Sequence, residues 1–153
     1  MNIRVKRVLP FLILVMFFTL GLSPRPRAID NLQTQEILIR SIVEEFFQRI
    51  ESAYAFEDLG GLMFLLDNNF DERNRFKLVL DEYLKSVSYP HIHFVIDMVV
   101  SDKDRLSVTV HWYKNATTTS GVEIRMRGLT QLVLVRRPEG LKIIRIKREN
   151  PFF

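Results

Sequence analysis

Between about Gln33 and Phe56, apolar residues fall at Ile39, Ile42, Val43, Phe46, Phe47, Ile50, Ala53 and Tyr54, with Arg40, Glu44, Glu45, Gln48, Arg49 and Glu51 between them. Spacings of three and four residues put one apolar stripe on a helix. Asp58 stands where a carboxylate would cap a second, shorter helix through Leu59, Leu62, Met63, Leu65 and Leu66, although Gly60 and Gly61 each lower helix propensity by about 1 kcal/mol. Tertiary packing has to hold that segment. Asp71 is the expected cap of a third helix, in which Phe76, Val79, Leu80, Tyr83, Leu84 and Val87 keep helical spacing until Tyr89 and Pro90 end it.

Beyond Pro90 the period changes from 3.6 to 2. Ile92, Phe94, Ile96, Met98 and Val100 alternate with His91, His93, Val95, Asp97 and Val99, and Leu106, Val108, Val110 and Trp112 alternate with Ser107, Thr109, His111 and Tyr113. With Ser101 to Arg105 as the hairpin loop, the even-numbered residues of both strands share one face, and Phe94 lies opposite Trp112. A polar loop from Asn115 to Gly121 leads to a longer strand, roughly Val122 to Arg136. Pro138, Glu139 and Gly140 then turn the chain into a last strand through Leu141, Ile143, Ile144 and Ile146. Helices first and an antiparallel meander second predict an α+β fold, three helices covering one face of a curved sheet of about four strands.

Residues 1–28 read differently. Arg4, Lys6 and Arg7 precede an apolar run from Val8 to Leu22, which at about 1.5 Å per residue reaches only about 22 Å against a hydrocarbon core of about 30 Å. A secretory signal is the expected reading, with a retained N-terminal anchor as its alternative. Processing after Ala28 puts Pro26 at minus three, and processing after Ser23 puts Pro24 first, so neither site meets a small-x-small rule. Absence of Cys excludes lipoprotein processing, cysteine catalysis, CxxC redox chemistry and Cys-ligated zinc. Residues 29–153 then form one exported domain, periplasmic or secreted, or held at a membrane if the leader stays.

The passage Ala55 to Phe70, with Asp58 and Leu59 opening the second helix and Leu62, Leu65, Leu66 and Phe70 following, resembles a known fold, the nuclear transport factor 2-like cone. The closing hairpin, Leu132, Val133, Leu134, Val135, a turn, then Leu141 to Ile146, is similar to that of the same family. Leu141 departs from the Trp that often follows the turn. The resemblance implies a short edge strand after the second helix and an interior that, in ketosteroid isomerases and SnoaL-like cyclases, holds a titratable group beside an apolar substrate. It implies a fold far more than a function.

On that frame the inward candidates are Tyr54 and Tyr83 on the helices and Phe94, Ile96, Met98, Val110 and Trp112 on the strands. They are apolar or aromatic throughout, so the expected role is a module that binds a small apolar ligand or supports an assembly. An isomerase-, dehydratase- or cyclase-type enzyme and an anchored envelope component are the alternatives. No catalytic residue is assigned. Val95, Asp97, Thr109, His111 and Tyr113 share the opposite face, too apolar for full solvation, and are the candidates for a homodimer interface. His91, His93 and His111 lie on that face too, but the pairing leaves only Asp97 at hand, so neither a metal nor a cofactor is expected. Signatures for phosphate loops, dinucleotides, zinc proteases and serine nucleophiles are missing.

The 22 basic and 18 acidic residues give a net charge of +4, which suggests nucleic acid at first sight. Residues 1–28 carry five of the basic groups and no acid, so the remainder holds 17 basic and 18 acidic groups, and the nucleic-acid reading falls away. What remains is a segregation: 29–102 carry 6 basic and 14 acidic residues, 103–153 carry 11 and 4.

Overall fold

A computed structural model describes residues 27–153, with side chains from residue 33 onward. The expected leader therefore lies almost wholly outside the described residues. The sheet and core lie in one compact unit, Leu38–Phe153. The described residues form helices α1 (Arg27–Ala55), α2 (Leu59–Phe64) and α3 (Arg73–Ser86), then strands β1 (Val87–Asp102), β2 (Arg105–Thr118), β3 (Glu123–Arg137) and β4 (Gly140–Arg148). The strands pair antiparallel in the order β1-β2-β3-β4. The α+β reading holds. No Gly or Pro interrupts 27–55, and α1 starts six residues ahead of the expected Gln33.

The α1 stripe Val43, Phe46, Phe47, Ile50 and Tyr54 is buried against the sheet, at most 4% exposed, each side chain contributing about 1.5–3 kcal/mol. Phe47 meets Phe94 of β1 at 4.8 Å between ring centres. Asp58 caps α2 as expected, Gly61 N–H donating to its Oδ1 at 2.8 Å. A Cβ at Gly61 would run into that carboxylate, which explains a glycine that propensity alone disfavours.

The far end of α2 is tied to the sheet by cations. Arg73 donates to the carbonyls of Met63, Leu66 and Asp67 at 2.8–2.9 Å, and the buried Lys142 of β4 donates to that of Phe64 at 2.6 Å. Asp67, itself 5% exposed, accepts from Arg137 Nε at 2.6 Å. Beside them Leu66 forms a lone parallel bridge with Ile143, with Asp67 N–H donating to Ile143 O and Ile143 N–H to Leu65 O. This is the short edge strand that the resemblance implied, reduced to one residue.

Several local expectations fail. Asp71 does not cap α3: Glu72 holds the N-cap position at φ 55° without a side-chain cap, while Asp71 reaches Arg145 at 3.3 Å. β1 starts at Val87, ahead of Pro90, because a bulge at Tyr89 (φ 53°) and Pro90 lets the strand pass a residue with no N–H to offer. The β1–β2 turn is Lys103 and Asp104 alone, with Asp102 paired to Arg105. And Met98, expected inside, is 52% exposed. Ile96 pairs with Val110 but Met98 with Thr109, so Asp97 is an extra residue that reverses the alternation and turns Val99, opposite Val108, to the core.

Candidate functional site

β2 continues to Thr118, through residues expected to form a loop, and its inward row is Leu106, Val108, Val110, Trp112, Lys114 and Ala116. Lys114 is thus a lysine on the core face, 2% exposed. Its Nζ lies 4.6 Å from the centre of the Tyr83 ring and 5.8 Å from that of Trp112. Among the described residues, Lys114 Nζ, Tyr83 Oη and Trp112 Nε1 are the buried side-chain polar atoms with no hydrogen-bond partner. Burial lowers the Lys114 amine from its ordinary 10.5 to about 8.

Two features close the neighbourhood. Gly128 of β3 pairs with Trp112, and a Cβ there would run into both the indole and the Glu149 carboxylate, whose Oε2 accepts from Leu129 N–H at 3.3 Å. Glycine at 128 is what admits the indole and Glu149 side by side. Met126, opposite Lys114, is 46% exposed and forms the outer margin. Deeper in, Tyr54 is fully buried, donates to Phe152 O at 3.1 Å and lies 6.4 Å from Tyr83 between ring centres. Burial above all, and then the Tyr83 phenol, raise its pKa far beyond the ordinary 10, so it acts as a fixed donor.

Of the inward candidates, Tyr54, Phe94, Val110 and Trp112 are buried and Tyr83 and Ile96 partly so, while Met98 is not among them. They pack as core around the polar cluster. The feature missed was Lys114. Extending the two-residue alternation one step past Trp112 places it inward, but a strand ended at Tyr113 hides it. On the opposite face the expected pairings stand, His93 with Tyr113 and Val95 with His111. There His111 Nδ1 meets Asp97 Oδ2 at 2.7 Å, and His93 Nδ1 meets Glu51 Oε1 at 3.1 Å.

Known structures share this arrangement of helices and sheet. An NTF2-like superfamily protein from Salmonella enterica serovar Typhimurium superposes with a TM-score of 0.64 at 13% identity, over 76% of this chain and 93% of that one. The fold is that of the nuclear transport factor 2-like proteins. A second NTF2-like protein, of unknown function, from Shewanella oneidensis gives 0.57 at 11% identity over 70% and 95%. A candidate aromatic ring hydroxylase from Novosphingobium aromaticivorans gives 0.62 at 12% over 72% and 87%. No family model and no curated protein matches the sequence. In this NTF2-like cone, Lys114, Tyr83 and Trp112 sit between the helices and the sheet and present hydrogen-bond donors without acceptors.

Proposed function

We propose that this chain is a small-ligand-binding module of the NTF2-like fold, whose ligand has an apolar body and an acceptor group, carboxylate or carbonyl, received by Lys114, Tyr83 and Trp112. The observation that carries the reading is the three buried donors without partners. A buried polar group left unpaired costs about 1–3 kcal/mol, more when charged. Ring faces offset that for an ammonium only in part. Indole and ammonium have nothing to accept with, so their complement is an acceptor, and an anion there would return Lys114 toward its ordinary basicity. Met126 and Glu149 are the side chains at the margin that would give way to admit it.

A second reading, an isomerase-, dehydratase- or cyclase-type enzyme, draws on one observation: an amine that loses its proton near pH 8 can take a proton from a bound substrate. Export is part of the proposal too. It rests on the basic and apolar run in residues 1–22, and N-terminal sequencing of the cell-made protein tests it, a start near Ile29 indicating a free exported domain and an intact leader an anchored one.

Trp112 is the single tryptophan, so its emission reports on the site directly. Titration with benzoate is expected to change that emission saturably, benzyl alcohol is expected to leave it unchanged, and Lys114→Met is expected to abolish the benzoate response. Identical benzoate curves for the wild type and Lys114→Met would overturn the reading.

A further inference from the structure

The face turned away from the helices carries a second, chemically different site. In register, His91, Asn115 and Arg125 form one row across β1, β2 and β3, and His93, Tyr113 and Arg127 form the next. These six residues, together with Ile92, Lys114 and Met126 between them, line a cleft of about 820 Å³. Of the residues between them on the strands, Ile92 and Lys114 are buried toward the core and Met126 is 46% exposed at its margin, so alternation assigns the six to the outer side. Tyr113 and Asn115 make the floor, the two histidines one wall and the two arginines the other.

No carboxylate lines the cleft. The acids nearest in bonding terms are Glu51, 3.1 Å from His93 Nδ1, and Glu123, which holds Arg125 at 2.8 Å. Among the described residues neither Arg127 nor His91 has an ion pair or a side-chain hydrogen bond, and Tyr113 is 49% exposed. A volume of this size matches a single small molecule rather than a polymer track. Cationic or donor groups on both walls exceed what one carboxylate can engage. They suit a phosphate, whose dianion accepts bidentate bonds from planar guanidinium groups while further oxygens take imidazole and amide donors. The half-exposed ring of Tyr113 between the walls offers a stacking surface for a flat apolar group.

We propose that this outer cleft binds a small organic phosphate, with Arg127 and Arg125 on the phosphate, His91 and His93 as further donors, and Tyr113 beneath a planar ring. Arg125 exchanges Glu123 for the ligand on binding. The six side chains are on the opposite face of the sheet from the Lys114 amine, although Lys114 and Met126 also border the cleft, and the site assigns a role to residues that otherwise suggest only a self-association face.

Calorimetric titration of the full chain with phenyl phosphate, inorganic phosphate and phenol tests it. Saturable binding of phenyl phosphate is expected, with inorganic phosphate weaker and phenol silent. Arg127→Gln is expected to weaken phenyl phosphate about tenfold or more, the scale of one charge-assisted contact. Tyr113→Ala is expected to weaken phenyl phosphate while leaving inorganic phosphate unchanged. Equal affinities in the wild type and Arg127→Gln would overturn the assignment. So would binding confined to phosphatidylglycerol vesicles, which would make the face a lipid contact, or a dimer by light scattering that phenyl phosphate does not perturb and Tyr113→Ala dissolves.

Discussion

Asp67, in the bend after α2, and Arg137, at the end of β3, meet at 2.6 Å although seventy residues separate them in sequence. Asp67 also accepts from Asn69 N–H at 2.9 Å, and the Arg137 bond first, then that backbone bond, hold its carboxyl below the ordinary carboxylate range. A carboxyl with a depressed folded-state pKa contributes stability that is complete above its unfolded value, about 3.9, and is lost as pH falls through the folded one. Asp67→Asn is therefore expected to lower stability at pH 7 and to flatten the acid limb below about pH 4. Urea unfolding from pH 2 to pH 7 checks both, and an unchanged acid limb would remove Asp67 as its source.

Lys114 has a linkage of the same sign in an alkaline window, but there the charged form is the one that folding penalises. Its folded pKa of about 8 lies below its unfolded 10.5, so between those values the unfolded chain binds more protons and stability rises with pH. Below pH 8 both states are charged and the full cost of burial stands. Lys114→Met, which keeps the length and removes the charge, is expected to raise stability at pH 7 by about 1–3 kcal/mol and to erase the alkaline rise. Chemical denaturation at pH 7 and pH 10 measures both quantities. A destabilised variant would mean that the ammonium has an acceptor at pH 7.

Tyr54→Phe deletes one buried hydrogen bond, to Phe152 O, and leaves that carbonyl short of a partner, at a cost of about 1 kcal/mol. Gly128→Ala is expected to cost more. Its methyl group would run into the indole of Trp112 and displace Glu149 from Leu129 N–H, so a shift in Trp112 emission should accompany the lower melting temperature. Unchanged emission and stability would mean that the backbone at Gly128 has room to move.

The bulge at Asp97 makes neighbouring residues unequal. Met98→Ser, at an exposed site, is expected to change stability by less than about 0.5 kcal/mol, whereas Leu132→Ala, at a fully buried one, is expected to cost about 2–5 kcal/mol. A penalty for Met98→Ser as large as that for Leu132→Ala would place Met98 in the core, as the unbroken alternation suggested.

How far the chain could be read without a structure follows from where the determining forces act. Helical spacing from Ile39 to Tyr54, the Asp58 cap, the alternation from Ile92 to Ile96 and the pairing of Phe94 with Trp112 depend on neighbours in sequence or on parity along two strands, and all appear in the fold. The bulges at Tyr89 and Asp97 do not, since an extra residue is accommodated only when the facing strand and the core are in place. Asp71 failed as a cap because Arg145, on the last strand, competes for its carboxylate. Lys114 was hidden by the rule that a polar run marks a loop, yet Asn115 to Thr118 are strand because β1 and β3 flank them on both sides.

The free side of β1 has a consequence for how copies of this chain can meet. Its Phe94 N–H is already taken by Glu51 Oε1 at 2.8 Å, and Pro90, fully buried in the bulge, has no N–H to give. A second sheet arriving along that side would find its hydrogen-bonding groups either engaged or missing, and a carboxylate in the way. Continuous sheets built by lateral strand addition are thereby disfavoured. Partners are directed to the broad surface of the sheet, where the aromatic and basic side chains are.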